Sequence, residues 1–210
     1  MMEVQKPFVV GAGVMGAGIG QLCAQQGYAV TVTDVTEEIL SRAREKVAGG
    51  LKRRVEKGKI TQEEMDAVLG RITWQTGWDA AAEADFVIEA VSEDLGIKKD
   101  VFRKLDEVCP PSAILATNTT ALSVSEIASA TSRPDKVIGM HFFNPAVIMK
   151  LVEIIRGEQT SDETVETAKT FAERLGKVPI ATSREAPAGI VSRVLAGLLN
   201  EAAVVYAEGI

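Results

Sequence analysis

Histidine, the side chain whose ordinary pKa lies closest to neutrality, occurs once in these 210 residues, as His141. Side-chain proton transfer near pH 7 therefore has one obvious agent. It stands in His141-Phe142-Phe143-Asn144-Pro145, and Glu153 follows within Leu151-Val152-Glu153-Ile154-Ile155. A carboxylate among four aliphatic residues is costly unless something pairs with it, so Glu153 calls for a partner. The second chemical feature is Gly11-Ala12-Gly13-Val14-Met15-Gly16, directly after Val9-Val10. In such a Gly-x-Gly-x-x-Gly turn Gly11 would leave the strand sharply and Gly13 would let backbone approach a pyrophosphate. Gly16 would let the next helix pack closely, and the N–H groups at its start, Val14 and Met15 among them, would face the phosphates.

The glycine motif is weak alone, and the elements around it carry the reading. Val14 to Gln26 reads as a helix, Gly27 as its C-terminal cap, and Tyr28 to Thr33 as a strand rich in β-branched residues. Asp34 ends that strand, about 20 residues beyond the glycines, where a carboxylate accepts hydrogen bonds from ribose hydroxyls and repels a 2′-phosphate. Val35 and Thr36 follow rather than arginine, so the expected cofactor is NAD, not NADP.

Further along, Thr36 can cap a helix from Glu37 to about Lys57, with Ile39, Leu40, Ala43, Val47 and Leu51 on one side. Thr61-Gln62-Glu63-Glu64 is a capping box for a helix to Leu69, giving a helical hairpin with a basic tip at Lys52, Arg53, Arg54 and Lys57. Strands are expected at Arg71–Trp74, Ala84–Ala90 and Ala113–Thr117, with a helix from Lys98 to Val108 between the last two. Asn118-Thr119-Thr120 places polar groups at a strand's carboxyl end, where open α/β sheets hold ligands. A capping box at Ser123–Glu126 opens a helix to about Ala130, Lys136–Met140 is a strand with His141 at its end, and Leu151–Ile155 is another. Thr160 to Glu163 caps a helix to Leu175, Gly176 closes it, and Lys177–Ala181 is a last strand whose Pro179 suggests an edge. From Pro187 the character changes to one apolar helix, Ile190 to Glu208. Its stripe of Val191, Val194, Leu195, Leu198, Leu199, Ala202, Val205 and Tyr206 asks for a cover.

These elements predict an α/β, Rossmann-like, mostly parallel doubly wound sheet over residues 1–185 with a helical hairpin insertion. Residues 186–210 would then be the first helix of an all-α C-terminal domain. A hydrophobic content of 46% is enough for one substantial core. A net charge of −6 offers no basic field for nucleic acid. No apolar run is long enough to span a bilayer and Met1–Pro7 lacks a signal-peptide core, so neither a membrane nor export is expected and the cytoplasm is the default location. Cys23 and Cys109 read as reduced structural thiols, and no metal set is expected.

With His141, Asn144-Pro145 and Leu151-Val152-Glu153 in this order, the sequence resembles the L-3-hydroxyacyl-CoA dehydrogenases of the 3-hydroxybutyryl-CoA dehydrogenase type. The resemblance also includes Gly11–Gly20, Ile88–Glu93, Asn118–Thr120, Arg133-Pro134, Gly139–His141 and Gly176–Pro179. It implies NAD-dependent interconversion of a 3-hydroxyacyl-CoA and a 3-oxoacyl-CoA. In this picture His141 is the general base and Glu153 orients its ring. Asn144 lies near nicotinamide and histidine, and Asn118, Glu93 and Lys98 are cofactor contacts. Thr120 takes the place of a serine that touches substrate and cofactor, and Lys57 that of a lysine reaching the CoA nucleotide. Gly50 replaces a CoA-contacting serine, leaving a backbone contact only. Where the family reads Pro-Gly-Phe-x-x-Asn-Arg, this chain has Pro187-Ala188-Gly189-Ile190-Val191-Ser192-Arg193, so Ser192 replaces a substrate-binding asparagine. The family's further helices imply a homodimer through the C-terminal region and part of the site wall. Two other readings stay open: a related dehydrogenase of a sugar acid of the L-gulonate type, and a weakly catalytic NAD-binding module that needs a partner for those helices.

Overall fold

Neighbouring apolar residues in the strands face opposite layers of helices, and this alternation builds the molecule. The computed structural model describes residues 3–186 and 188–210, so Met1, Met2 and Pro187, at the expected domain boundary, lie outside the described residues. Eight strands form one sheet: β1 (Pro7–Val10), β2 (Val30–Asp34), β3 (Ile72–Thr76), β4 (Phe86–Glu89), β5 (Ile114–Thr117), β6 (Val137–Phe142), β7 (Leu151–Ile155) and β8 (Val178–Ala181). Their order is β3-β2-β1-β4-β5-β6-β7-β8, and every pairing is parallel except β6 with β7. The helices are α1 (Val14–Gln25), α2 (Glu37–Glu56), α3 (Gln62–Gly70), α4 (Leu95–Val108), α5 (Val124–Ala128), α6 (Asp162–Arg174) and α7 (Val191–Ala207). Val9, Phe86, Ile88, Ile114 and Ala116 pack with Ile19, Leu22 and Phe171 of α1 and α6. Phe8, Val10, Val87 and Leu115 point the other way, onto Phe102, Leu105 and Ile127 of α4 and α5. The sheet is thus doubly wound, with the order reversing between β1 and β4.

Most elements agree with their sequence signals, and the differences have local causes. β2 starts at Val30 and includes Asp34. α4 begins at Leu95 rather than Lys98, because the Asp94 carboxylate caps it by accepting from the Ile97 N–H at 2.9 Å. Thr160 does not cap α6. Its buried hydroxyl donates to the Val137 carbonyl at 2.6 Å, and Ser161 is the cap. α5 is cut short at Ala128, and the Glu126 carboxylate reaches Lys99 at 3.1 Å. β6 extends past His141 to Phe142. Only residues 143–150 join it to β7, too few for a parallel crossover, so β7 returns antiparallel. Pro179 sits on the edge strand β8, as expected. Cys23 and Cys109 are free and buried, and burial pushes their thiols up to about 12 and about 11. Among the described residues no helix is long and apolar enough to cross a membrane.

Candidate active site and cofactor cleft

The glycines occupy the point where strand order reverses. Gly11 has φ 98°, and a Cβ there would lie 2.6 Å from the Ala90 carbonyl oxygen at the end of β4. A Cβ on Gly16 would fall inside the Gly11 carbonyl oxygen. Around the Cβ position of Gly13 nothing lies within 4 Å, and no side chain caps α1, so the helix presents its first N–H groups, those of Val14 and Met15 included, to open space. Asp34 accepts from the Ala12 N–H at 2.6 Å and the Val35 N–H at 2.7 Å. It borders a cavity of about 750 Å³ lined also by Gly11, Gly13, Ile39, Val91 and Ile97. A helix N-terminus, an open glycine, one fixed carboxylate and an apolar slot fit the phosphates, ribose and base of a dinucleotide. Because the Gly16 Cβ would collide with rigid backbone, Gly16→Ala is expected to cost about 1–3 kcal/mol in folding stability and to abolish NADH binding. Chemical denaturation and NADH fluorescence check both effects.

The antiparallel register sets His141 directly opposite Glu153. Nδ1 of His141 lies 2.8 Å from Oε2 of Glu153, and both side chains are buried. The other oxygen, Oε1, accepts from the N–H groups of Ile190 and Val191 at 2.8 and 2.9 Å. Burial alone would raise the Glu153 carboxyl. The bonds from His141, Val191 and Ile190 outweigh it and hold the group below its ordinary value. An ionised carboxylate only accepts, so Nδ1 of His141 is the donor and the ring's Nε2 is left as an acceptor. Nε2 faces Thr120 Oγ1 at 3.3 Å, and Phe143 packs on the ring with centroids 4.5 Å apart. The arrangement is a ring nitrogen oriented from behind and facing Thr120, which itself lines a cavity of about 340 Å³ together with Leu122, Ile155, Ala186 and Gly189.

An ionic chain, buried at Glu89 and Lys98 and exposed at Glu93, supports the Thr120 loop. Glu93 Oε1 accepts from the Thr119 hydroxyl at 2.5 Å, the Thr120 N–H at 2.8 Å and the Ala121 N–H at 3.2 Å. Burial acts to raise the Glu93 carboxyl, but these bonds and the Lys98 charge hold it below the usual carboxylate range. The Lys98 ammonium lies 2.7 Å from Glu89 and 3.4 Å from Glu93. Its side chain is 1% exposed and that of Glu89 is 0% exposed. Lys98 shares the inner face of α4 with Phe102 and Leu105, and its ammonium is turned towards the two glutamates. Glu89, which sequence reasoning missed, also accepts from the Thr117 hydroxyl and the Val91 N–H, each at 2.7 Å. Its only signal was an acid closing an otherwise apolar buried strand.

The remaining expected residues divide. Asn118 Oδ1 accepts from the Phe142 N–H at 2.8 Å, tying β5 to the histidine strand, while Asn144 is exposed just beyond it. Ser192 lies in the first turn of α7, next to the amides that hold Glu153. Gly50 and Lys57 lie on and just beyond α2, and neither lines the cleft of about 520 Å³ between the hairpin and residues 147–150. Arg54, midway between them, does, together with Lys150 and Lys177.

Residues 6–186 match the family described as 3-hydroxyacyl-CoA dehydrogenase, NAD binding domain. The 3-hydroxybutyryl-CoA dehydrogenase of Clostridioides difficile is 43% identical over 202 residues, covering 96% of this chain and 72% of that protein. The enzyme of that name from Bradyrhizobium diazoefficiens is 40% identical over 207 residues, covering 99% of this chain and 70% of its own. Among solved structures, (S)-3-hydroxybutyryl-CoA dehydrogenase from Ralstonia eutropha superposes with a TM-score of 0.95 at 38% identity, over 99% of this chain and 73% of that one. By sequence and by fold, the chain belongs to the 3-hydroxyacyl-CoA dehydrogenase family and carries its NAD-binding domain.

Proposed function

We propose that this chain is an NAD-dependent oxidoreductase interconverting L-3-hydroxyacyl-CoA and 3-oxoacyl-CoA, with 3-hydroxybutyryl-CoA and acetoacetyl-CoA as representative substrates. The observation that carries the reading is the buried His141–Glu153 pair, with Nε2 turned towards Thr120 beside a nucleotide-sized cleft. Bound NAD would supply the hydride acceptor. His141 Nε2 would take the proton of the substrate's C3 hydroxyl as hydride departs and return it in the reverse direction, while Glu153 balances the imidazolium charge. Thr120 Oγ1 marks the position that the substrate oxygen would share. Asp34 would hold the adenosine ribose. Lys57 and Arg54 of the basic hairpin would neutralise CoA phosphates and Gly50 would offer backbone only, a reading supported by Arg54 lining the cleft beside the hairpin.

Residues 1–185 form the cofactor domain in this reading, and 186–210 open a helical domain that also serves dimer formation. The exposed Val194, Leu198 and Tyr206 on α7 support it, since such a face is normally covered. Reduction of acetoacetyl-CoA with NADH, followed by chiral chromatography, tests the reaction. The L isomer of 3-hydroxybutyryl-CoA is expected, and formation of the D isomer would count against the assignment.

A further inference from the structure

Glu153 uses its two oxygens for two different tasks. Oε2 meets the histidine, and Oε1 takes the first amides of α7, Ile190 and Val191. The chain reaches those amides through two successive residues in left-handed backbone, Ala188 at φ 62° and Gly189 at φ 56°. Alanine disfavours that region, so a contact made beyond it must hold it there. Gly189 packs directly on the carboxylate: a Cβ there would lie 2.9 Å from Oε2 and 3.3 Å from Oε1. The preceding residues are tied down separately, since the Glu185 carboxylate accepts from the Ser123 hydroxyl and the Ser125 N–H, each at 3.0 Å. No residue of α7 is buried, which leaves its first turn on Glu153 as its attachment to the sheet.

We propose that the backbone N–H groups of Ile190 and Val191, delivered by the Ala188–Gly189 turn, are positioning groups for proton transfer. By fixing Oε1 of Glu153 they fix the oxygen that orients His141, so the seating of α7 sets whether the base is poised. The proposal rests on the reading of His141 as the general base. It differs from a purely structural tie because disturbing the turn should change turnover through Glu153 and leave cofactor affinity alone.

The test combines amide spectra with kinetics on the full chain. In ¹H–¹⁵N spectra, Glu153→Gln should move the Ile190 and Val191 signals further than others in α7. Ala188→Val, whose β-branched side chain resists left-handed backbone, should move them too, while Ala188→Gly keeps them in place. Ala188→Val should lower kcat by about tenfold or more with KM for NADH within about twofold, and in the Glu153→Gln background it should cost less than about twofold. The rest of the Ala188→Val spectrum reports whether the fold is intact. Amide signals indifferent to Glu153→Gln, or an Ala188→Val factor equal in both backgrounds, would overturn the proposal. An unsubstituted chain without turnover would overturn the reaction reading alone, because the amide response is read without turnover.

Discussion

Replacing His141 by asparagine should lower kcat for acetoacetyl-CoA reduction by about 10²–10⁴-fold, the usual contribution of a positioned general acid or base. The NADH dissociation constant, read from fluorescence, should stay within about twofold, because the histidine lies outside the pocket formed by the glycines and Asp34. A fall in kcat and kcat/KM together is the mark of a group that acts in the transition state and not in ground-state binding. The chain's only histidine leaves no neighbour of the same type to substitute for it. Its partner is ready across the neutral range. The folded Glu153 carboxyl is held below its ordinary value, so its stabilising contribution is complete above the unfolded pKa, about 4.3. That contribution is lost only as pH falls through the lower folded value. If His141→Asn instead retained full turnover, the histidine would have no part in the chemistry.

Lys98→Met should produce the largest loss of stability among single changes at polar positions. It leaves Glu89 fully buried without its cation and removes one partner of Glu93. Breaking a buried pair on one side costs about 3–5 kcal/mol, and in a chain of this size each kcal/mol corresponds to about 2–4 °C in melting temperature. The expected drop is therefore on the order of 6–20 °C. Removing both charges, as in Glu89→Gln with Lys98→Met, should recover most of it, since no isolated charge remains buried. Calorimetry on the two single variants and the double variant makes the comparison. Loss of less than about 1 kcal/mol in Lys98→Met would show the pair to be solvated like a surface ion pair.

What could be read from the residues was what local rules control. The order of strands and helices followed from period-two and helical apolar patterns. The caps at Thr36 and Thr61 appear as expected, and Gly11 and Gly16 occupy the tight positions their motif implies. Asp34 closes its strand beside the nucleotide-sized cavity. Less accessible were features set by pairing between distant segments. That His141 faces Glu153 follows from an antiparallel register between β6 and β7, which no local signal in either strand specifies. Nothing local to Lys98 shows that one face of α4 buries it against Glu89, since lysine is usually solvated. The amides of Ile190 and Val191 on Glu153 were invisible for a simpler reason, since backbone donors leave no mark in residue identity.

In the proposed reaction a nicotinamide-linked reduction takes place at His141 and Asp34 chooses the cofactor. The most direct measurement is the loss of absorbance of NADH mixed with acetoacetyl-CoA and this chain, with NADPH run in parallel. The account predicts steady NADH consumption, faster than NADPH consumption by about 100-fold or more, since a carboxylate at the ribose repels a 2′-phosphate. NADPH consumed as fast as NADH, or NADH bound but not consumed with acetoacetyl-CoA present, would contradict it.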